Sequence, residues 1–149
     1  MSATAHDVLA TKAVPLVHSC SRSTTVKEAA NLMSVHRVGS LLVSEEDGVL
    51  RGIFTERDVL MRVVAQGRDP DATRVEEVMT TSLITVSPDT AIEELERIMR
   101  ENRIRHVPVL KDGKLVAMIS IGDVLVFHAE SRKHMVEQLT DYVSGNYVR

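Results

Sequence analysis

Two short stretches of this chain join a hydroxyl to a carboxylate three residues later, Thr55-Glu56-Arg57-Asp58 and Ser120-Ile121-Gly122-Asp123. Each follows an apolar run, Gly52-Ile53-Phe54 or Ala117-Met118-Ile119, and each precedes an apolar segment that reads as a helix. Such a junction can be a plain N-cap, in which the hydroxyl accepts a backbone N–H and the acid sits near the positive end of the helix dipole. For one isolated Ser/Thr-x-x-Asp, that reading accounts for the pattern. The same geometry can also hold a ligand. Exposed N–H groups at a helix start favour an anion such as phosphate, and the hydroxyl adds a donor. A carboxylate one turn in can accept both hydrogen bonds of a vicinal diol. A nucleotide, with phosphate beside ribose, satisfies all three groups.

Basic residues stand near these junctions. Arg103, Arg105 and His106 cluster before Val107-Pro108-Val109, and Arg57 lies inside the first junction. Each has a bland alternative, as a solvated strand end or a surface arginine. Other chemistries are poorly supplied. His128 and His134 are six apart and do not share a helical face, and no His-Glu-x-x-His is present. Cys20 is the single cysteine, so neither an internal disulfide nor a thiolate metal cluster forms. The Gly-x-Ser-x-Gly elbow and the P-loop pattern are absent. A catalytic triad assembles in space and is not excluded by composition. Turnover of a bound nucleotide therefore stays open, although no catalytic base stands out.

The whole chain has 149 residues, 44% hydrophobic and 26% charged, with a net charge of −3. That is the usage of a soluble globular protein, and the charge argues against a nucleic-acid partner. No apolar run approaches the roughly 20 residues of a membrane helix. Met1 to Lys12 lacks the apolar core of a signal peptide. With the lone cysteine, this predicts a reducing, cytoplasmic setting and no membrane partner.

The elements that must position the junctions occur twice. Residues 1–12 read as a loose or weakly helical lead-in, and Val14–Cys20 as a short extended stretch containing Pro15. Thr25 and Glu28 form a capping box for a helix carrying Val26, Ala29, Ala30 and Met33. Val38–Val43 and Val49–Phe54 make a hairpin about Asp47-Gly48, and a helix follows from about Glu56 to Gln66 with Val59, Leu60, Val63 and Val64. Gly67-Arg68-Asp69-Pro70-Asp71 breaks the chain. Then the order returns. Leu83–Val86 echoes the first short strand, and Thr90 with Glu93 suggests a second capping box. A second hairpin and a helix from about Gly122 follow. Val26 matches Ile92, Met33 matches Met99, Arg37 matches Arg103 and Val43 matches Val109; Thr55 matches Ser120 and Asp58 matches Asp123 after one residue is lost in the turn. This duplication predicts a lead-in (1–13), a first repeat (14–67), a second repeat (68–128, with linker 68–76) and a tail (129–149). Each half is short of apolar residues for a core of its own, so the two are expected to pack about a pseudo-twofold axis. In the tail, Met135, Leu139, Tyr142 and Val143 share a helical face that stops at Gly145.

The doubled pattern, with Gly52-x-x-Thr55-x-x-Asp58, Ile104-Arg105-His106-Val107-Pro108-Val109 and Ser120-x-x-Asp123, resembles a tandem pair of cystathionine-β-synthase (CBS) domains, or Bateman module, over residues 14 to about 128. The segments Gly67–Thr80 and Gln138–Gly145 are similar to stand-alone bacterial members. The resemblance implies an α+β fold of two β-α-β-β-α repeats with pseudo-twofold symmetry, plus a C-terminal helix. It implies two clefts for adenosine-containing ligands: AMP first, with ADP, ATP, NAD or S-adenosylmethionine as alternatives. No catalytic cofactor is implied. Carried over residue by residue, the main cleft takes Thr55, Arg57 and Asp58, facing Ile84, Ile104, Arg105, His106 and Pro108. The second takes Ser120 and Asp123 with His18, Val38, Gly39 and Ser40. Gly39 and Ser40 stand where the main cleft has Arg105 and His106, and Ala117 replaces the glycine at Gly52. The Thr55/Asp58 cleft is therefore expected to bind more tightly. The expected function is a regulatory nucleotide sensor, not an enzyme, acting as a homodimer on an effector protein. The alternative is a ligand-free dimerisation scaffold.

Overall fold

The computed structural model describes residues 2–11 and 17–144. Of the extended stretch expected over Val14–Cys20, the described part contains a two-residue strand, β1 (Ser19–Cys20); its first residues and the Gly145 stop lie outside the described residues. The first repeat runs β1, α2 (Val26–His36), β2 (Ser40–Ser44), β3 (Leu50–Thr55) and α3 (Glu56–Asp58). The second runs α5 (Ile92–Asn102), β4 (His106–Lys111), β5 (Lys114–Ser120) and α6 (Ile121–Ser144). Two short helices precede these sets, α1 (Ala5–Ala10) and α4 (Val75–Val78).

The capping box at Thr25 forms as expected: Glu28 N–H donates to the Thr25 hydroxyl at 3.1 Å, and Thr25 N–H donates to the Glu28 carboxylate at 3.0 Å. The second box does not form at Thr90. Its hydroxyl instead accepts from Ser87 N–H at 3.1 Å, holding the turn that Thr24 and Ser21 make in the first repeat at 3.2 Å. The N-cap of α5 is Ala91, the true mate of Thr25, and it has no side chain to cap with.

In the first sheet β1 runs parallel to β2, and β2 antiparallel to β3. The second sheet is the β4–β5 hairpin. The stretch Leu83–Val86, expected as a strand, contributes one parallel bridge, Val86 to Val109, before the Ser87–Thr90 turn ends it. The helix after Thr55 also departs from expectation. Beyond Asp58 it widens into a π-helix over Val59–Val64, with Ala65 N–H reaching Leu60 O at 2.9 Å. This winding buries Val63 but leaves Leu60 and Val64 exposed, so the expected four-residue apolar face is split.

Alternation along β2 decides which face each residue serves. Leu41 and Val43 enter a core with Val26, Ala29, Phe54 and Val63, whereas Leu42 points away from it and is nonetheless buried. The second repeat builds a separate core from Ile92, Leu95, Met99, Val107, Val109, Ile119 and Val124. The two halves therefore do not share one core, as their size had suggested. Each is completed by a helix from elsewhere in the chain. Val75 and Val78 of α4 close the first core, and Ala5 and Val8 of α1 close the second. The equivalence extends to the backbone: Val26 N–H bonds to Thr73 O at 2.9 Å, and Ile92 N–H to Ala3 O at 2.9 Å. The lead-in, expected to be loose or weakly helical, forms α1 and is thus the counterpart of the linker, with Val8 fully buried.

Candidate ligand-binding clefts

Both junctions sit where a hairpin hands over to a helix, and register fixes what stands opposite each hydroxyl. Thr55 pairs with Ser40 across β2–β3, and Ser120 pairs with His106 across β4–β5. Each hydroxyl and carboxylate close a reciprocal cap. In the second repeat Ser120 N–H donates to Asp123 Oδ2 at 2.8 Å, and Asp123 N–H to Ser120 Oγ at 3.1 Å. In the first, Thr55 N–H donates to Asp58 Oδ2 at 2.9 Å, and Asp58 N–H to Thr55 Oγ1 at 3.3 Å. The plain N-cap is therefore present in both copies, and a binding role must be added to it.

The two surroundings differ. Asp58 is 5% exposed. Its Oδ1 receives the Thr80 hydroxyl at 3.4 Å and faces Arg62 Nε at 3.6 Å. Arg62 also donates to Val78 O and Met79 O, each at 3.1 Å. Thr80 exchanges both backbone hydrogen bonds with Ile53. This brings Met79 and Thr80 so close that a Cβ on Gly52 would lie 2.7 Å from Met79 Sδ and 2.9 Å from Thr80 O. Glycine at 52 thus has a packing reason, and Met79 and Thr80, just after α4, cover the first carboxylate.

At the second junction the structure has an open cleft of about 310 Å³ between the repeats. His18, Val38, Gly39 and Ser40 line it from the first repeat, and Ser120 and Asp123 from the second, so all six residues expected there come together. Val17, Arg37, Leu42, His106 and Met118 complete the lining, and the sequence reading had not assigned them to this cleft. His106, expected opposite Thr55, therefore lines the Ser120/Asp123 cleft. With Arg37 it supplies the basic groups that the substitution by Gly39 and Ser40 had seemed to remove. The two junctions thus differ, with a covered Asp58 in one and an open cleft at Asp123 in the other. Of the other residues expected in the main cleft, Arg57 and Arg105 are exposed, Ile84 and Ile104 are half-buried and Pro108 is buried.

His18 stacks on His36 with ring centroids 4.1 Å apart and an interplanar angle of 24°. Desolvation, and behind it the charge of His36, hold His18 below the ordinary imidazole value of 6.5. Gly39 lies against Glu56, whose Oε1 would be 3.2 Å from a Cβ there. Cys20 is no nucleophile: burial pushes its thiol up to about 11. Among the described residues, no three His, Cys, Asp or Glu side chains are grouped to hold a metal ion. No helix among them is long and apolar enough to cross a membrane.

Comparison with known proteins agrees with this architecture. The family model for the CBS domain matches residues 5–65 and 75–130. The mitochondrial CBS domain-containing protein CBSX3 of Arabidopsis thaliana is 39% identical over 132 residues, which are 86% of this chain and 64% of that protein. The chain thus spans just under two thirds of that relative. A proposed signal-transduction protein with CBS domains from Burkholderia ambifaria superposes with a TM-score of 0.78 at 40% identity, covering 82% of this chain and 90% of that one. A CBS domain pair solved with 5′-methylthioadenosine and S-adenosyl-L-methionine has a TM-score of 0.74 at 25% identity, covering 84% and 98%.

Proposed function

The chain belongs to the CBS-domain family, as a tandem pair of the regulatory kind, and from that premise we propose that it senses an adenosine-containing ligand. The observation that carries the reading is the Ser120/Asp123 cleft, where a hydroxyl, a carboxylate, an arginine and imidazoles from both repeats meet around about 310 Å³. That volume is at the small end of ligand pockets and suits a mononucleotide such as AMP. Asp123 accepts the ribose diol, and Ser120 with the start of α6 faces the phosphate side. The Arabidopsis relative is similar in sequence and the Burkholderia protein shares the fold; the pair solved with 5′-methylthioadenosine and S-adenosyl-L-methionine lends support for an adenosine moiety.

The Thr55/Asp58 junction is the second site of the same kind, with Thr55, Arg57 and Asp58 facing Ile84, Ile104, Arg105 and Pro108. Its occupation requires Met79 and Thr80 to move off Gly52 and Asp58. Because Arg62 holds the linker carbonyls and Asp58 together, ligand there would loosen the linker. A cytoplasmic effector protein would read the resulting change of shape.

Isothermal titration of the chain with AMP, ADP, ATP and NAD tests the reading. One tight site per chain is expected, the Ser120/Asp123 cleft, with weaker binding at the covered Thr55/Asp58 junction and AMP or another adenylate preferred. Heat-silent titrations with all four, together with no stabilisation on thermal melting at millimolar ligand, would leave the scaffold reading. That second reading has its own support. Leu60, Met61 and Val64 of the π-helix and Ile121, Leu125 and Val126 of α6 are exposed apolar residues, with Leu60 matching Leu125 and Met61 matching Val126 between the repeats, suited to pairing two copies as a homodimer.

A further inference from the structure

Arg37 stands where helices ordinarily end on glycine. It is the C-cap of α2, with φ 54° and ψ 44°, in the left-handed region that non-glycine residues seldom adopt. Its repeat mate Arg103 closes α5 with φ 54° and ψ 41°. Gly or Asn would make either turn with less backbone strain. A cation near a helix C-terminus is favoured by the dipole, which explains a basic residue here but not one placed in a ligand-sized cleft. Arg37 lines the Ser120/Asp123 cleft, and its guanidinium makes no ion pair or hydrogen bond with the described residues. Among the described lining residues it carries the one permanent positive charge. The Asp123 carboxylate lines the same cleft, and Glu56 packs on Gly39 beside it. An anionic ligand entering beside these acids needs a fixed cation in the lining, and Arg37 supplies one.

We propose that Arg37 reads the phosphate of the ligand, so that the Ser120/Asp123 cleft distinguishes a nucleotide from its nucleoside. This rests on the nucleotide-binding reading above and adds the residue that sets its specificity. The guanidinium fork matches two phosphate oxygens, while Asp123 engages the sugar on the other side of the cleft. Arg37 is a specificity residue and takes part in no bond-making.

The test is titration of the full chain with AMP and with adenosine, for the unaltered protein and for Arg37→Asn. Asparagine tolerates the left-handed backbone, so the turn is kept while the cation is removed. Arg37→Gly serves as a second variant if the first folds poorly. The expected result is a roughly tenfold to hundredfold loss of AMP affinity with adenosine affinity unchanged. Unaltered protein should also bind AMP more weakly as salt rises, and the variant should lose that dependence. AMP binding that is the same in variant and parent overturns the proposal and leaves the nucleotide reading standing. So does an equal loss for AMP and adenosine. If the unaltered chain binds neither compound, both the proposal and the nucleotide reading fall.

Discussion

Changing Asp58 and Asp123 to asparagine, one at a time, should damage two different properties. The positions are repeat mates with the same cap geometry, so differences must come from their surroundings. Asp58 is 5% exposed, and both its oxygens are engaged, by Thr55 on one side and by Thr80 and Arg62 on the other. An amide can still accept on one side but must present N–H groups on the other. One charge-assisted hydrogen bond is lost, worth about 1.5–3 kcal/mol. Arg62 is half-exposed, so its ion pair adds little. For a chain of this size each kcal/mol moves the melting temperature about 2–4 °C. Asp58→Asn should therefore lower it by roughly 3–12 °C. Asp123 lines an open cleft, and losing its cap with Ser120 should cost the fold about 1 kcal/mol. The larger effect there is on ligand. Losing the carboxylate that accepts the ribose diol should weaken AMP roughly tenfold to hundredfold. Scanning fluorimetry without ligand and calorimetric titration with AMP measure the two effects on the same samples. If Asp123→Ala or Asp123→Asn binds AMP like the parent while Asp58→Asn abolishes binding, the open cleft is not the principal site and the argument from geometry is refuted.

Other perturbations follow from contacts already described. Gly52→Ala drives a Cβ into Met79 Sδ and Thr80 O, at 2.7 and 2.9 Å, and overpacking of this kind costs about 1–3 kcal/mol; a melting curve unchanged from the parent would mean the linker does not lie there. Val8→Ala removes two buried methyl groups from the second core, and a loss of about 2 kcal/mol in urea unfolding is expected; an effect near zero would detach α1 from the fold. The folded state holds His18 below 6.5, so the unfolded chain binds the extra proton first as pH falls. Stability should decline on acidification through the window just below 6.5, and His18→Gln should flatten that part of the profile; a profile identical to the parent's would remove His18 as its source.

Much of this was legible because the duplication is strict. The matching of Arg37 with Arg103 and of Thr55 with Ser120 carried the hairpins and the junctions, while the six residues expected in the second cleft came from the family resemblance. The same register held a warning that local reasoning passed over. Thr25 pairs with Ala91, so Thr90 could not be the cap, because its partner is the turn-forming Thr24. The α1 helix was hard to read because six residues are too short for periodicity to speak. The contacts over Asp58 were only partly readable. Arg62 stands four residues on, within reach along a helix, whereas Thr80 is brought to it by the fold. His106 went to the other cleft because it stands opposite Ser120 within its own hairpin, whereas the resemblance had carried it across to Thr55.

The crossing of α1 and α4 has a consequence for how this molecule can be divided. A break between the repeats would not yield two self-sufficient pieces. The front piece would keep α1, whose Ala5 and Val8 fit a core it no longer has, and would lose Val75 and Val78, which roof its own. The rear piece would be bare in the same manner. A half-length chain could stay folded only by embracing another like it, each lending its leading helix to the other, and the tandem chain makes that embrace within one molecule.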